Sequence, residues 1–556
     1  MQLQTPHLRI ALALGLLTLI VAGSRTSGLA ALDVFREDDP LQREPDTQDA
    51  SGVREWTIDL FVDLTVNLFT EPGDARTGAR AHNVNTIDEV PDSSWFTNRI
   101  LARPVSIDEA VHGPREGTGP AEGPWIVVAA KEVGMAPGFT VEDEAHETWF
   151  ISFDARNYPE AATGAILVAN KIFWTLGYWQ ADNVLVQVKP EQILIGDTAT
   201  IRVLSGETRP MRLADLDEIW QRAHRSADGS FRAVAARRLP GRPLGGFRYH
   251  GTRDDDPNDV VPHEHRRELR ALKVFGAWAN LVDMKAGNTL DMLITENGRS
   301  VVRHYLQDVG STFGAGANAP REFDEGWEHL YEGNLVWKRL ASLGFWIRPW
   351  QTARYEENPA IGRFEGNVFD PVTWQPRVPT AALRHAQPDD LFWAARRVAA
   401  FSEDLIRALA MTGTYTDPEA ADHLADVLIQ RRDKIAAAYL IGINPLVDFQ
   451  LTPDGRLSFT NAAVAAKVAP EPRGGYRFEW ARFDNHTQKV SAFGETATAA
   501  ATFTEAPAAL PQAEDAFVSI RISALEPPYS SWTPMRVYFR RGIDGWTLVG
   551  VDRTNQ

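Results

Sequence analysis

The sequence predicts an α+β protein in three folded parts: a strand-rich part, a helical part and a C-terminal antiparallel β-domain. Three observations carry this expectation. Short strand-like runs punctuated by Gly, Pro and Asx turns dominate 121–250, with one helix among them. Longer segments with apolar residues at three- and four-residue steps dominate 251–445. After about residue 446 a period of two returns and runs through 446–556. At 556 residues the chain is too long for one small core.

Composition bounds the function. A net charge of −17 and a pI near 5.3 exclude a general nucleic-acid binder, which needs a basic footprint. The absence of cysteine excludes a lipobox, a disulfide framework and thiolate chemistry. Residues 1–30 read as a signal peptide. His7 and Arg9 precede an apolar run from Ile10 to Val21, too short to span a bilayer comfortably, and Gly28 and Ala30 suit cleavage after Ala30. Cleavage after Gly23 and retention as an uncleaved anchor are the alternatives. The expectation is an exported protein, periplasmic or extracellular, free or associated with the envelope.

Residues 31–120 form an N-terminal extension. Its first half, to residue 60, is acidic and reads as a surface linker, and 57–69 suits either a strand or a short helix. Asn83 to Arg99 is an Asn/Asp/Ser-rich loop around Pro91 with Trp95 and Phe96. Such residues mostly satisfy local backbone groups, so a structural Asx-rich turn is expected over a binding loop. Within 121–250, strands are expected at 125–130, 139–143 and 148–154, with a glycine turn at 134–138. A helix from Pro159 to Leu176 ends at Gly177, and short strands follow at 184–188, 200–204 and 230–235. Arg237, Arg238 and Arg242 read as a charged hinge loop around Pro240-Gly241.

Asp254 to Asp259 followed by His263, Glu264 and His265 reads as a solvated helix N-terminus, with metal binding the weaker alternative. A helix over 264–280 should bury Leu269, Leu272, Phe275 and Ala279 and leave Arg266, Arg267, Arg270 and Lys273 mostly off that face. It leads into Asp283. Strands at 289–294 and 301–306 flank Asn297-Gly298, a hairpin turn pair, so Asn288 and Asp308 should stand at the open ends of one hairpin. Helices are expected at 388–411 and 416–440, the second opened by a capping box at Thr416 to Glu419. The last part reads as a small β-sandwich.

The chemistry concentrates at Asp283, Lys285, Asn288 and, 20 residues after Asn288, Asp308 two before Gly310. A carboxylate and a carboxamide five apart, then a carboxylate before glycine, can orient a hydroxyl and hold a metal against phosphates. On these motifs and this element order, 121–445 resembles the protein-kinase-like superfamily. Its atypical branches are the match: the HipA-type, CotH-type and secretory-pathway kinases, here as an exported bacterial member. The resemblance implies a bilobal fold, with a strand-rich N-lobe over 121–250 and a helical C-lobe over 251–445. It implies Asp283 as catalytic base, Lys285 as phosphate-facing cation and Asn288 and Asp308 as ligands of Mg²⁺ on a nucleoside triphosphate. The phosphoryl or nucleotidyl acceptor would be an unknown protein or small molecule.

One departure opens a second reading. Kinases carry a lysine in the third strand, paired with a glutamate on the next helix. Ser152 occupies that lysine's place, and the helix offers Ile166-Leu167-Val168 where the acid would be. Lys131 or Lys171 would have to supply the cation from a neighbouring element. Without one, the chain would be a catalytically silent pseudokinase acting as an envelope binding or scaffold protein.

Overall fold

The computed structural model describes residues 33–553 apart from 45, 132–135, 204–205, 357, 499–501 and 527–531. Residues 1–30, read above as a signal peptide, Gly134 and Met135 of the glycine turn, and Leu204 lie outside the described residues. The protein is a mixed α/β chain with several sheets, and its C-terminal strands are antiparallel.

The first sheet has seven strands: β1 (Trp125–Ala130), β2 (Gly138–Glu142), β3 (Thr148–Phe153), β4 (Asn183–Val188), β5 (Ile193–Arg202), β6 (Thr208–Pro210) and β7 (Phe231–Arg237). Their order is β4-β7-β3-β2-β1-β5-β6, antiparallel except for the β1–β5 pair. Alternate residues such as Val127, Phe139, Val141, Ile151 and Phe153 form its core with Leu216 and Ile219 of the helix Leu213–Arg222. The helix Ala161–Leu176 follows β3 and ends at Gly177, whose φ of +132° favours glycine. Its Val168, Ile172 and Phe173 join a different core, made with the helices Leu272–Ala279, Pro388–Ala399, Glu403–Met411 and Pro418–Tyr439. Ser402 caps the third of these, which splits the continuous helix expected over 388–411. Asp417, rather than Thr416, caps the fourth, because Thr416 bonds Glu160.

A second sheet, in the order β10-β9-β8, contains β8 (Arg242–Gly245), β9 (Leu290–Glu296) and β10 (Arg299–Tyr305). The β9–β10 hairpin turns at Asn297-Gly298, both at positive φ, as a type I′ turn needs. C-terminally, β11 (Leu446–Leu451), β12 (Arg456–Asn461) and β15 (Phe503–Glu505) form one sheet. The other is β14-β13-β16-β17-β18, from β13 (Tyr476–Phe483), β14 (Val490–Thr498), β16 (Phe517–Ala524), β17 (Met535–Arg541) and β18 (Trp546–Asp552). Inner residues of both, among them Phe449, Phe459, Trp480, Ile520 and Val537, share one core.

Three expectations are corrected and one alternative is resolved. Residues 31–60 are not a surface linker: Ala50 and Val53 are buried with Leu244 and Val302, and Phe35 packs on Phe483, Phe517 and Tyr538. The ambiguous segment is a helix, Leu60–Phe69, capped by Asp59. The 264–280 helix is broken into a short turn at His263–His265 and the helices Arg267–Arg270 and Leu272–Ala279. The arginines meant for solvent are inside, with Arg266, Arg267 and Arg270 at most 1% exposed.

Partners explain this burial. Arg267 bonds Asp88, Asp389 and Asp390 at 2.8, 2.6 and 2.9 Å, and Arg270 reaches Asp390 at 3.0 Å. Arg266 lies 4.6 Å over Trp95, which stacks at 3.5 Å on His304. His263 pairs with Asp259 at 2.8 Å and His265 with Asp74 at 3.2 Å. The acidic–histidine stretch is therefore neither a solvated helix start nor, among the described residues, part of a cluster of three or more metal-ligating side chains. The Asn/Asp-rich loop supplies Asp88 to Arg267, Glu89 to Arg396 and Arg397, and Asn83 to Glu268, so these polar residues have structural partners.

Desolvation opposes the Arg267 charge, but Asp88, Asp390 and Asp389 outweigh it and raise the arginine's pKa. For the buried Asp88 carboxylate, desolvation is likewise outweighed, by Arg267, Arg80 and Arg553, and the pKa falls. Its stabilisation is present above the unfolded carboxylate range and is lost as pH drops through the folded value. Arg267→Met should destabilise the protein by about 3–5 kcal/mol in urea unfolding at neutral pH, because three carboxylates are left buried without it. A loss below about 1 kcal/mol would show that the network is not holding the fold.

Candidate functional site

The backbone brings the predicted residues together through the hairpin. Leu290 and Tyr305 pair at its open end, and beyond them the Asp308 amide donates to the Asn288 carbonyl at 3.0 Å. Gln180 Nε2 donates to the Leu306 carbonyl at 2.7 Å, and the Leu306 amide donates to the Trp179 carbonyl, so the segment leading to Asp308 is fastened to Trp179-Gln180. Asn288 Nδ2 donates to the Asp283 carbonyl at 2.6 Å, closing the Asp283–Asn288 loop on itself. The Asp283 amide meets Ser311 Oγ at 3.3 Å, tying the loop to the Asp308 segment a second time.

Charge is arranged around Asp283. Lys285 Nζ lies 2.8 Å from its carboxylate and Arg321 3.9 Å away. Asn288 is buried, Asp283 half-buried and Asp308 exposed, which gives one open face. Asp308 Oδ1 accepts the Gly310 amide at 2.9 Å, fixing the carboxylate.

The cation missing from β3 arrives from β1. Lys131, just past the end of β1, donates from Nζ to Ser152 Oγ at 3.1 Å. The intervening β2 position is Gly138, paired with Ser152; a side chain there would run into the Ile151 carbonyl and lie 3.4 Å from Lys131 Cδ. Lys131 is exposed at the rim, yet the protein around its ammonium lowers its pKa by desolvation while Asp308 opposes the shift. Lys131, Ser152 and Asp308 thus belong to one electrostatic neighbourhood.

Lys171 does not join them. It leans on Gly113, and its pKa is pushed down to about 8, first by desolvation and then by Arg115, against Asp182. The helix presents Ile166 to the site instead: a Cβ on Gly310 would lie 3.0 Å from it. An apolar side chain therefore stands where an acidic partner for the cation would be.

The motif did not point to Arg321 or Tyr249. Tyr249 is buried within electrostatic reach of Asp283; desolvation first, then Asp283 and Asp63, raise its pKa, and its hydroxyl has no hydrogen-bond partner among the described residues. Neither residue lies at a fixed offset from the motif, so only the fold could bring them in.

No protein-family model and no curated protein matches the chain. Two solved structures of the Golgi casein kinase are similar to it. The one with Mn/ADP bound is 10% identical, covers 59% of this chain and 76% of its own, and has a TM-score of 0.28. The second is 11% identical, covers 72% and 94%, and has a TM-score of 0.30. Superpositions this loose do not establish a shared fold.

The donor set fits a divalent cation held partly by phosphate oxygens. Mg²⁺ sites commonly use one or two protein oxygens with phosphates and waters completing the shell. Asn288 Oδ1 and the Asp308 carboxylate would be the two protein oxygens.

The lysines should separate experimentally. Between about pH 8 and the ordinary lysine range the unfolded chain binds more protons at Lys171 than the folded one, so stability rises across that window. Lys171→Met should stabilise the protein by about 1–2 kcal/mol at pH 7, and the gain should shrink toward zero near pH 10.5. Urea unfolding at the two pH values checks this, and a gain of equal size at both would contradict it.

Proposed function

We propose that the chain is an atypical kinase-like protein, bilobal about the Asp283–Asp308 cleft, that transfers a phosphoryl or nucleotidyl group from a nucleoside triphosphate. The carrying observation is the reach of Lys131 to Ser152 at 3.1 Å, within electrostatic range of Asp308, a cation offered where the motif alone lacked one.

In this reading Asn288 and Asp308 would hold Mg²⁺, which when bound neutralises phosphate charge. Asp283 would take the proton of the acceptor hydroxyl through its carboxylate, as that oxygen bonds to phosphorus and the bond to the leaving phosphate oxygen breaks, with Lys285 paired to the carboxylate at 2.8 Å. Lys131, bonded to Ser152, and Arg321, 3.9 Å from Asp283, are the further cations available to the phosphates. Positioning and charge stabilisation are what such transfer asks of a protein. The acceptor is an unidentified protein or small molecule. The first 30 residues support an exported location, where nucleotide would have to be delivered locally.

A second reading has its own observation. Ile166 against Gly310 leaves Lys131 with a hydroxyl rather than a carboxylate as its partner. That arrangement suits a silent pseudokinase, which binds nucleotide or a partner without transfer.

Thermal shift with Mg²⁺ or Mn²⁺ and a nucleotide panel tests binding. The wild type and Lys171→Met should be stabilised, and Lys131→Met and Asp308→Asn should lose most of the shift. No shift with any nucleotide would sink both the transfer reading and nucleotide binding. With binding established, Asp283→Ala should lower any detected transfer by about a hundredfold or more, with the nucleotide shift kept. Unchanged turnover would remove Asp283 from the chemistry.

A further inference from the structure

Beside the site, two elements carry their apolar side chains outward. In the helix Leu60–Phe69 the buried residues are Asp63 and Asn67, while Phe61 is 76% and Phe69 62% exposed. A water-soluble helix has the opposite arrangement. The helix Gly333–Ala341 has no buried residue. Trp337 is 72% exposed, and in the segment after it Leu343, Phe345 and Ile347 are 84, 87 and 67% exposed.

The two elements are contiguous. Phe69 and Tyr331 have ring centroids 5.2 Å apart. Leu60 packs on Gly287 of the Asp283–Asn288 loop, where a Cβ would lie 3.0 Å from it. The apolar face therefore borders the mouth of the candidate site.

Its charge is opposite to that of the rest of the chain. Residues 333–355 contain Lys338, Arg339, Arg348 and Arg354 and no acidic residue, in a chain of 57 basic and 74 acidic residues. Lys338 lies 4.2 Å over the Trp346 ring and Arg348 pairs with Glu328, so the charges sit among the aromatics. Tryptophan, phenylalanine and leucine interleaved with lysine and arginine, without acids, is the composition of segments that lie in a membrane interface. A protein partner would leave the exposure on all sides of the Gly333–Ala341 helix unexplained, whereas a headgroup layer accepts both the apolar and the basic side chains.

We infer that this face docks on a lipid surface bearing anionic headgroups and holds the mouth of the site against it. The inference does not depend on phosphotransfer, and its test needs no nucleotide.

The absence of cysteine makes the test specific. In the full chain, Phe345→Cys carries a polarity-sensitive fluorophore, and Ile543→Cys, on an exposed part of the C-terminal β-domain, carries the same label as a control. Vesicles of phosphatidylcholine with phosphatidylglycerol are added, then vesicles of phosphatidylcholine alone. The label at 345 should shift to the blue and brighten about twofold or more with the anionic vesicles, and the label at 543 should not. Leu343→Asp with Ile347→Asp should abolish the change at 345 with circular dichroism unaltered, and omitting the anionic lipid should weaken the response roughly tenfold. Tethering by residues 10–21 alone would leave the 345 label silent or move both labels alike, and either result overturns the inference. So does an equal response to neutral vesicles. A concentration-dependent shift at 345 without vesicles would show an interface between two copies instead, and would overturn it too.

Discussion

Arg267 is the residue on which the arrangement turns. It is fully buried and bonded to Asp88, Asp389 and Asp390, so it ties the N-terminal extension, the approach to the Asp283 loop and the helix Pro388–Ala399 in one knot. Arg553, from the end of β18, reaches the same Asp88 at 3.4 Å and brings the C-terminal β-domain into it. Buried ion pairs often contribute little net stability, because desolvation cancels much of the attraction. Their effect is on uniqueness: a guanidinium with five donors accepts few arrangements, and any register that leaves one carboxylate unpaired is heavily disfavoured. The helix Leu272–Ala279 starts from this knot and runs directly into Asp283.

The site itself is held by backbone rather than by its own charges. The Asn288 carbonyl, the Asp308 amide, the Asp283 carbonyl and Ser311 fix the two loops before any ligand is considered. This leaves Lys285 free to pair with Asp283 at 2.8 Å. At Lys131 desolvation by the surrounding protein lowers the ammonium's pKa and Asp308 opposes the shift. A serine in β3 then becomes intelligible, since its hydroxyl orients an ammonium arriving from β1 across Gly138.

The same economy of placement brings an outward apolar face to the rim of that opening. The Leu60–Phe69 helix keeps Asp63 inside, 3.8 Å from Arg248, and turns Phe61 to water. The free energy of leaving such rings exposed is large enough that a surface of this kind calls for a medium that accepts it.

By itself the sequence determined the local elements and the motif. Period-two runs gave strands β1 to β3, Gly177 ended the helix before β4, and Asn297-Gly298 set the hairpin whose open end brings Asn288 to Asp308. Each of these is a short-range matter of turn chemistry and side-chain alternation. What only the tertiary structure decided involves partners far away in the chain. Arg266, Arg267 and Arg270 read as solvent-facing because periodicity assigns charge to the outside, and the carboxylates that draw Arg267 and Arg270 inward lie more than a hundred residues away. The polarity of the Leu60–Phe69 helix was equally illegible, since its composition says nothing of which face meets protein. Which lysine meets Ser152 was likewise decided by the fold: Lys131 reaches it from the end of β1 past Gly138, while Lys171 leans on Gly113.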